Sequence, residues 1–197
     1  TKGLVDALIR DVQARQNILR AALEEDDDMA LLPVVGSMKL EDGVAAVNRS
    51  IKEFIGFNLG VFRAQSSHDD AFKYLRTQVE ESGIYVILIG NLGSHHTALD
   101  VNVFRGFALS DKLAPIVTIN DKDARAAWSF TLLHELAHIW LGHTGISSST
   151  SSDLKVEKFC NQVAGEILLP DIFEIELPKS QDFDAVKDAI SDFAYTH

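Results

Sequence analysis

Ala126-Ala127-Trp128-Ser129-Phe130-Thr131-Leu132-Leu133-His134-Glu135-Leu136-Ala137-His138-Ile139-Trp140-Leu141 is the stretch that decides how this chain is read. It is apolar almost all round, the mark of a helix buried on every side. Yet it carries three ionisable groups in the spacing His134-Glu135-x-x-His138. Residues four apart share one helix face, so both imidazoles can reach one ion. Buried polar groups without partners cost on the order of several kcal/mol, and a metal removes that cost for the two histidines. Glu135 sits beside the ligand face, placed to take a proton from a metal-activated water. The pattern predicts a long helix over about 122–142, closed by Gly142 and Gly145.

A third ligand is available on the next predicted helix, over about 153–169, with Asp153 as its cap and Pro170 just past its end. Glu157 and Asn161 are four apart and share a face. The distance from His138 to Glu157 resembles that in the thermolysin-type zincins, whose second helix supplies a glutamate in an ExxxD-like pattern. Here the pattern is ExxxN, and Asn161 suits the task of holding a ligand histidine's ring N–H through its side-chain oxygen. Glu166 falls about half a turn out of phase and should face away from the metal. The metzincin pattern HExxHxxGxxH needs glycine and histidine where this chain has Leu141 and Thr144, so it is excluded. His143, near the helix end, suits the C-terminal dipole as a partial cation. Cys160 reads as a small core residue.

Outward from these helices, three more are predicted: 4–23, from Val5, Leu8, Val12, Leu19 and Leu23; 42–56, from Val44, Val47, Ile51, Phe54 and Ile55; and 68–82, capped by Ser67 with Gly83 past its end. Ile84–Ile89 is a β-branched and aromatic run of strand length, and 99–108 and 115–119 read as two further strands. Residues 144–152 are a Ser/Thr-rich loop, and an amphipathic helix is expected over 182–195. The predicted class is α+β: a small, mostly antiparallel three-stranded sheet packed on a zincin-like active-site helix, with extra N-terminal helices. The expected division is an N-terminal helical segment, 1–64, and a metalloprotease domain, 65–197.

Composition narrows the function. The 197 residues carry 18 basic and 29 acidic side chains, a net charge of −11. That is a poor footprint for nucleic acid and for an anionic membrane surface. One cysteine excludes an internal disulfide and any multi-cysteine zinc module, so a metal must be held by histidine and carboxylate. No targeting or membrane-spanning run is visible, and the expectation is a cytoplasmic protein. Asn48-Arg49-Ser50 matches a glycosylation sequon but reads as chance. The missing initiator methionine suggests a piece of a longer protein.

Phe130-Thr131-Leu132-Leu133-His134-Glu135-Leu136-Ala137-His138, then Glu157-Lys158-Phe159-Cys160-Asn161-Gln162-Val163-Ala164 and Leu168-Leu169-Pro170, resemble the ImmA/IrrE metallo-endopeptidases. Phe104-Arg105-Gly106-Phe107 and Pro115-Ile116-Val117-Thr118-Ile119-Asn120 resemble that family's strands ahead of the active-site helix. The resemblance covers about 65–170. It implies a bacterial or phage zinc endopeptidase that cleaves a helix-turn-helix repressor, a partner sometimes fused upstream. It also implies His134, His138 and Glu157 as ligands of Zn2+ and Glu135 as general base. A substrate would lie along the sheet edge, on 99–108 or 115–119. Arg105, His95, His96 and Tyr85 are candidates, by residue type, for a second oxyanion donor. Two other readings are a non-proteolytic metal-containing module that derepresses a regulator, and a DNA-binding regulator with a protease-like sensor. The second needs a basic helix-turn-helix that these residues do not show. Glu135, which is not needed to hold zinc, favours the enzyme. Histidine and carboxylate ligands suit several divalent ions besides zinc.

Overall fold

A computed structural model describes residues 2–26, 30–93, 97–144 and 151–170. The elements in chain order are α1 (Lys2–Glu24), α2 (Val44–Ile55), α3 (Leu59–Arg63), α4 (His68–Glu81), β1 (Tyr85–Leu88), β2 (Gly106–Leu109), β3 (Ile116–Ile119), α5 (Arg125–Trp140) and α6 (Ser151–Leu168). The class is α+β, as expected. The predicted helix over 182–195, most of the Ser/Thr loop, His95 and His96 lie outside the described residues.

The sheet order is β1-β3-β2. β3 pairs parallel with β1 (Tyr85↔Ile116) and antiparallel with β2 (Gly106↔Ile119), so the sheet is mixed rather than mostly antiparallel. β3 is central, and all four of its residues are buried. Its Ile-Val-Thr-Ile run suits a strand covered on both faces. On one face, Val86, Ala108, Val117 and Ile119 join α2, α4, α5 and α6 in the larger core. On the other, Phe107, Leu109 and Ile116 meet Leu8 and Val12 of α1. The chain is therefore layered as α1, sheet, then a helical layer led by α5. α1 is also pinned at its middle, where Gln16 Nε2 donates to Leu109 O at 3.1 Å and Ala114 O at 2.7 Å.

β2 is much shorter than the strand expected over 99–108. Asp100 and Asn102 set a turn instead: the Asp100 side chain accepts the Asn102 N–H at 2.8 Å, and Asp100 O accepts the Val103 N–H at 2.9 Å. Local side-chain turn chemistry thus overrides the β preference of Val101 and Val103. The unexpected α3 is too short to show a period. Its signal is Asn58, whose side chain accepts the Val61 N–H.

α5 ends where Gly142 adopts a left-handed conformation at φ 71°. A Cβ there would come within 3.1 Å of Gly36 Cα, so the two backbones need glycine to approach. That approach lets Gly36 and Met38 donate N–H groups to Ile139 O and Trp140 O, at 3.0 and 3.1 Å. The last carbonyls of the buried helix are thereby satisfied, and its C-terminal end is fixed.

Candidate metal centre and active-site cleft

Eleven of the sixteen residues of α5 are buried, including Glu135 and His138. His134 and His138 emerge on the side that meets α6, their rings 4.8 Å apart between centroids. α6 carries Glu157 to the same point, because Val156, Cys160, Val163, Ala164 and Ile167 anchor its other side in the core. His134 Nε2 and His138 Nε2 lie 3.1 Å apart. Glu157 places Oε2 3.3 Å from the first and Oε1 3.0 Å from the second. Among the described residues, these three are the only His/Cys/Asp/Glu group able to hold a metal.

The residues fit a metal. Ligands about 2.0–2.1 Å from a tetrahedral ion lie about 3.3 Å from each other, close to the three separations observed. The electrostatics agree. Burial works against a charge on His134, yet the Glu157 hydrogen bond and the charges of Glu135 and Glu157 outweigh it and raise its pKa. The site draws positive charge, which a proton or a cation can supply. His134 Nδ1 is buried without a hydrogen-bond partner among the described residues. Asn161 lies beside the same ring and helps raise its pKa, but does not close a well-formed bond to Nδ1.

Glu135 is held apart from this ligand trio but next to it. Burial pushes its carboxyl up to about 7, against the pull of the neighbouring imidazoles. It borders an open cleft of about 400 Å³ whose walls come from three elements. Phe104, Arg105 and Gly106 lead into β2; Ala127, Phe130 and Thr131 come from α5; Glu157 and Asn161 come from α6. Phe130, the large apolar side chain that α5 leaves 36% exposed, stands in this cleft with its ring 6.4 Å from that of His134. Gly106 is a residue the sequence reading passed over. A Cβ at this position would lie 3.0 Å from Glu135 Oε1 and 2.7 Å from Thr131 Cγ2. A lone glycine inside a strand pattern is the signal for such a close approach.

The remaining sequence candidates separate clearly. Arg105 lines the cleft, whereas Tyr85 packs on the α1 face of the sheet. His143 stands 6.2 Å, ring to ring, from His138 and outside the ligand trio; burial and the His138 charge lower its pKa. Glu166 borders a different surface hollow, with Ala45 and Arg49. Cys160 is fully buried, and burial raises its thiol pKa, so it is a packing residue.

A buried helix bearing His-Glu-x-x-His, joined by a glutamate from the following helix and set under an edge strand, defines a metallopeptidase-type domain. The chain belongs to the peptidase M78 family, the IrrE N-terminal-like domain, whose family model matches residues 79–192, more than half of the chain. This agrees with the ImmA/IrrE resemblance of the sequence. No curated protein and no solved structure matches the chain. No helix among the described residues is long and apolar enough to cross a membrane.

Proposed function

We propose that this chain is a zinc-dependent endopeptidase that cleaves a regulatory protein, of the repressor type that binds DNA, with Glu135 as its general base. The observation that carries this reading is the convergence of His134, His138 and Glu157 beside a separate, buried carboxylate at an open cleft. A purely structural metal site has no use for Glu135, whose burial is costly.

His134, His138 and Glu157 would hold the ion, which when bound supplies Lewis acidity to the scissile carbonyl and to the attacking water. Glu135 then accepts the water's proton and delivers it to the leaving amine.

β3 is central, so the edge beside the cleft is β2. Asn120 N–H donates to Arg105 O at 2.8 Å, which makes Arg105–Asn120 a hydrogen-bonded pair of the antiparallel ladder. Such pairs alternate, so the N–H and C=O of Gly106 turn away from β3, towards the outer edge. A substrate strand can add there, with its carbonyl presented beside Glu135.

The test is to incubate the protein with the helix-turn-helix repressor encoded beside it, with and without chelator, and to look for fragments. Cleavage that requires metal and is lost in Glu135→Gln is the expected result. Metal-dependent binding without fragments would overturn the peptidase reading in favour of a derepressing module.

A further inference from the structure

We propose that Arg105 is a specificity-determining residue that reads a carboxylate side chain of the substrate beside the scissile bond. This rests on the peptidase reading and adds to it the substrate chemistry.

Arg105 is the only lysine or arginine among the described residues that line the cleft. Its backbone is fixed by the bond from Asn120 N–H, and its guanidinium lies near the Asp123 carboxylate. The Asp123 side chain is only 8% exposed, whereas that of Arg105 is 62% exposed. Asp123 Oδ1 accepts the Ala124 N–H at 2.8 Å, and its buried Oδ2 has no hydrogen-bond partner among the described residues. Arg105 Nη1, 3.8 Å from Oδ2, is the cation that answers that charge. At this distance the pair is electrostatic and uses none of the guanidinium's N–H donors as hydrogen bonds. The result is an arginine fixed at its backbone, largely exposed beside the cleft, with its side-chain donors uncommitted among the described residues.

A guanidinium in that state is suited to a bidentate bond with a carboxylate. Arg105 directly precedes Gly106, the residue against which Glu135 packs. Strand residues are spaced about 3.4 Å apart, so a substrate strand on β2 brings a side chain one or two residues from the scissile bond to Arg105. An oxyanion role for Arg105 would predict a different result, because it would act on every substrate alike.

The experiment uses the zinc-loaded protein and peptides spanning its cleavage site, made as twins with Glu or Gln at each of the two positions on either side. One further pair carries a free or an amidated C-terminus. The expected result is a preference of about tenfold or more for Glu at one internal position, expressed in KM and weakened by salt. In Arg105→Gln the Glu/Gln ratio falls to about one, Arg105→Lys retains part of it, and Arg105→Glu inverts it in favour of Gln. An unchanged ratio in Arg105→Gln overturns the proposal, as does an equal loss of kcat on both twins. A preference seen only with the free terminus replaces the side-chain assignment by recognition of a chain end. If no peptide is cleaved, anisotropy of fluorescein-labelled Glu and Gln decapeptides decides. Tighter binding of the Glu peptide that Arg105→Gln abolishes keeps the carboxylate site while the peptidase reading fails; equal binding removes both.

Discussion

Gly106→Ala is the substitution that tests the geometry of the cleft most directly. The new methyl would meet Thr131 Cγ2 at 2.7 Å, Glu135 Oε1 at 3.0 Å and Thr118 O at 3.1 Å. Carbon–carbon contacts are ordinarily about 3.5–4.0 Å, so the overlap with Thr131 approaches 1 Å. Thr118 O is sheet backbone and cannot give way. Thr131 is buried and β-branched, with little rotamer freedom on a helix. The strain falls within the overpacking range of about 1–3 kcal/mol. In a chain of this size that lowers the melting temperature by about 2–4 °C per kcal/mol. Glu135 must also move by a few tenths of an ångström. Misplacement by about 1 Å costs about a hundredfold in rate, so a tenfold loss in kcat is the expected scale. The assay pairs thermal melting of the metal-loaded protein with kcat and KM on a cleaved substrate, and with metal content, which should stay at one ion per chain. Adding Thr131→Ser removes the closest contact. The double variant should recover most of the melting temperature and little of the rate, because the Glu135 contact remains. Native melting and native kcat in Gly106→Ala would refute the reasoning. Recovery of both by Thr131→Ser would place the whole effect on Thr131 and take Glu135 out of it.

Glu135→Gln should keep its metal, by elemental analysis, while cleavage falls by at least about a hundredfold; loss of the metal instead would make Glu135 a structural residue. Chelated protein should lose stability as pH rises, because the folded Glu135 carboxyl, up at about 7, keeps a proton that the unfolded chain has released from about 4.5 upward. The full effect is about 3 kcal/mol, complete once pH passes 7. His134 acts in the same sense: its raised pKa contributes stability that is whole below 6.5 and lost as pH climbs through the folded value. Urea midpoints between pH 5 and 8 should therefore fall in the chelated native protein and fall less in Glu135→Gln; parallel profiles would show that the shift is assigned to the wrong group. Saturating zinc should reverse the slope, since its ligands must be deprotonated, and at 100 times Kd should add about 2.7 kcal/mol of stability. His138→Ala should abolish that gain, and a full zinc response in this variant would dissolve the proposed ligand set. Leu8→Ala, in the fully buried contact of α1 with the sheet, should cost about 2–5 kcal/mol by denaturant titration; a change below 1 kcal/mol would mean that α1 is only loosely attached.

Some features of this molecule are visible in its sequence because they are periodic, and others are hidden because they are relations between distant segments. α6 could be read because burial imposes a helical period, α5 because it is apolar almost all round, and both because His134, His138 and Glu157 are unusual residues on otherwise apolar elements. β3 could be read because a strand covered on both faces is apolar throughout. The parallel pairing of β1 with β3 could not, because a four-residue strand carries no mark of its neighbour's direction. The shortness of β2 depends on an Asp100 turn competing with Val101 and Val103, and propensity alone favours the losing side.

The cleft shows the same divide. Its ligands are chemical and therefore legible, while its shape rests on Gly106, which matters for the side chain it lacks. Arg105 stands between the two cases. Its charge is written in the sequence, but its significance appears only when Asp123, eighteen positions on, is found buried behind it. Against a net charge of −11, Arg105 is the one lysine or arginine among the described residues that line the cleft. Long-range charge would then speed the approach of a basic partner, while the arginine would select, at close range, the acidic residue to be placed beside the base.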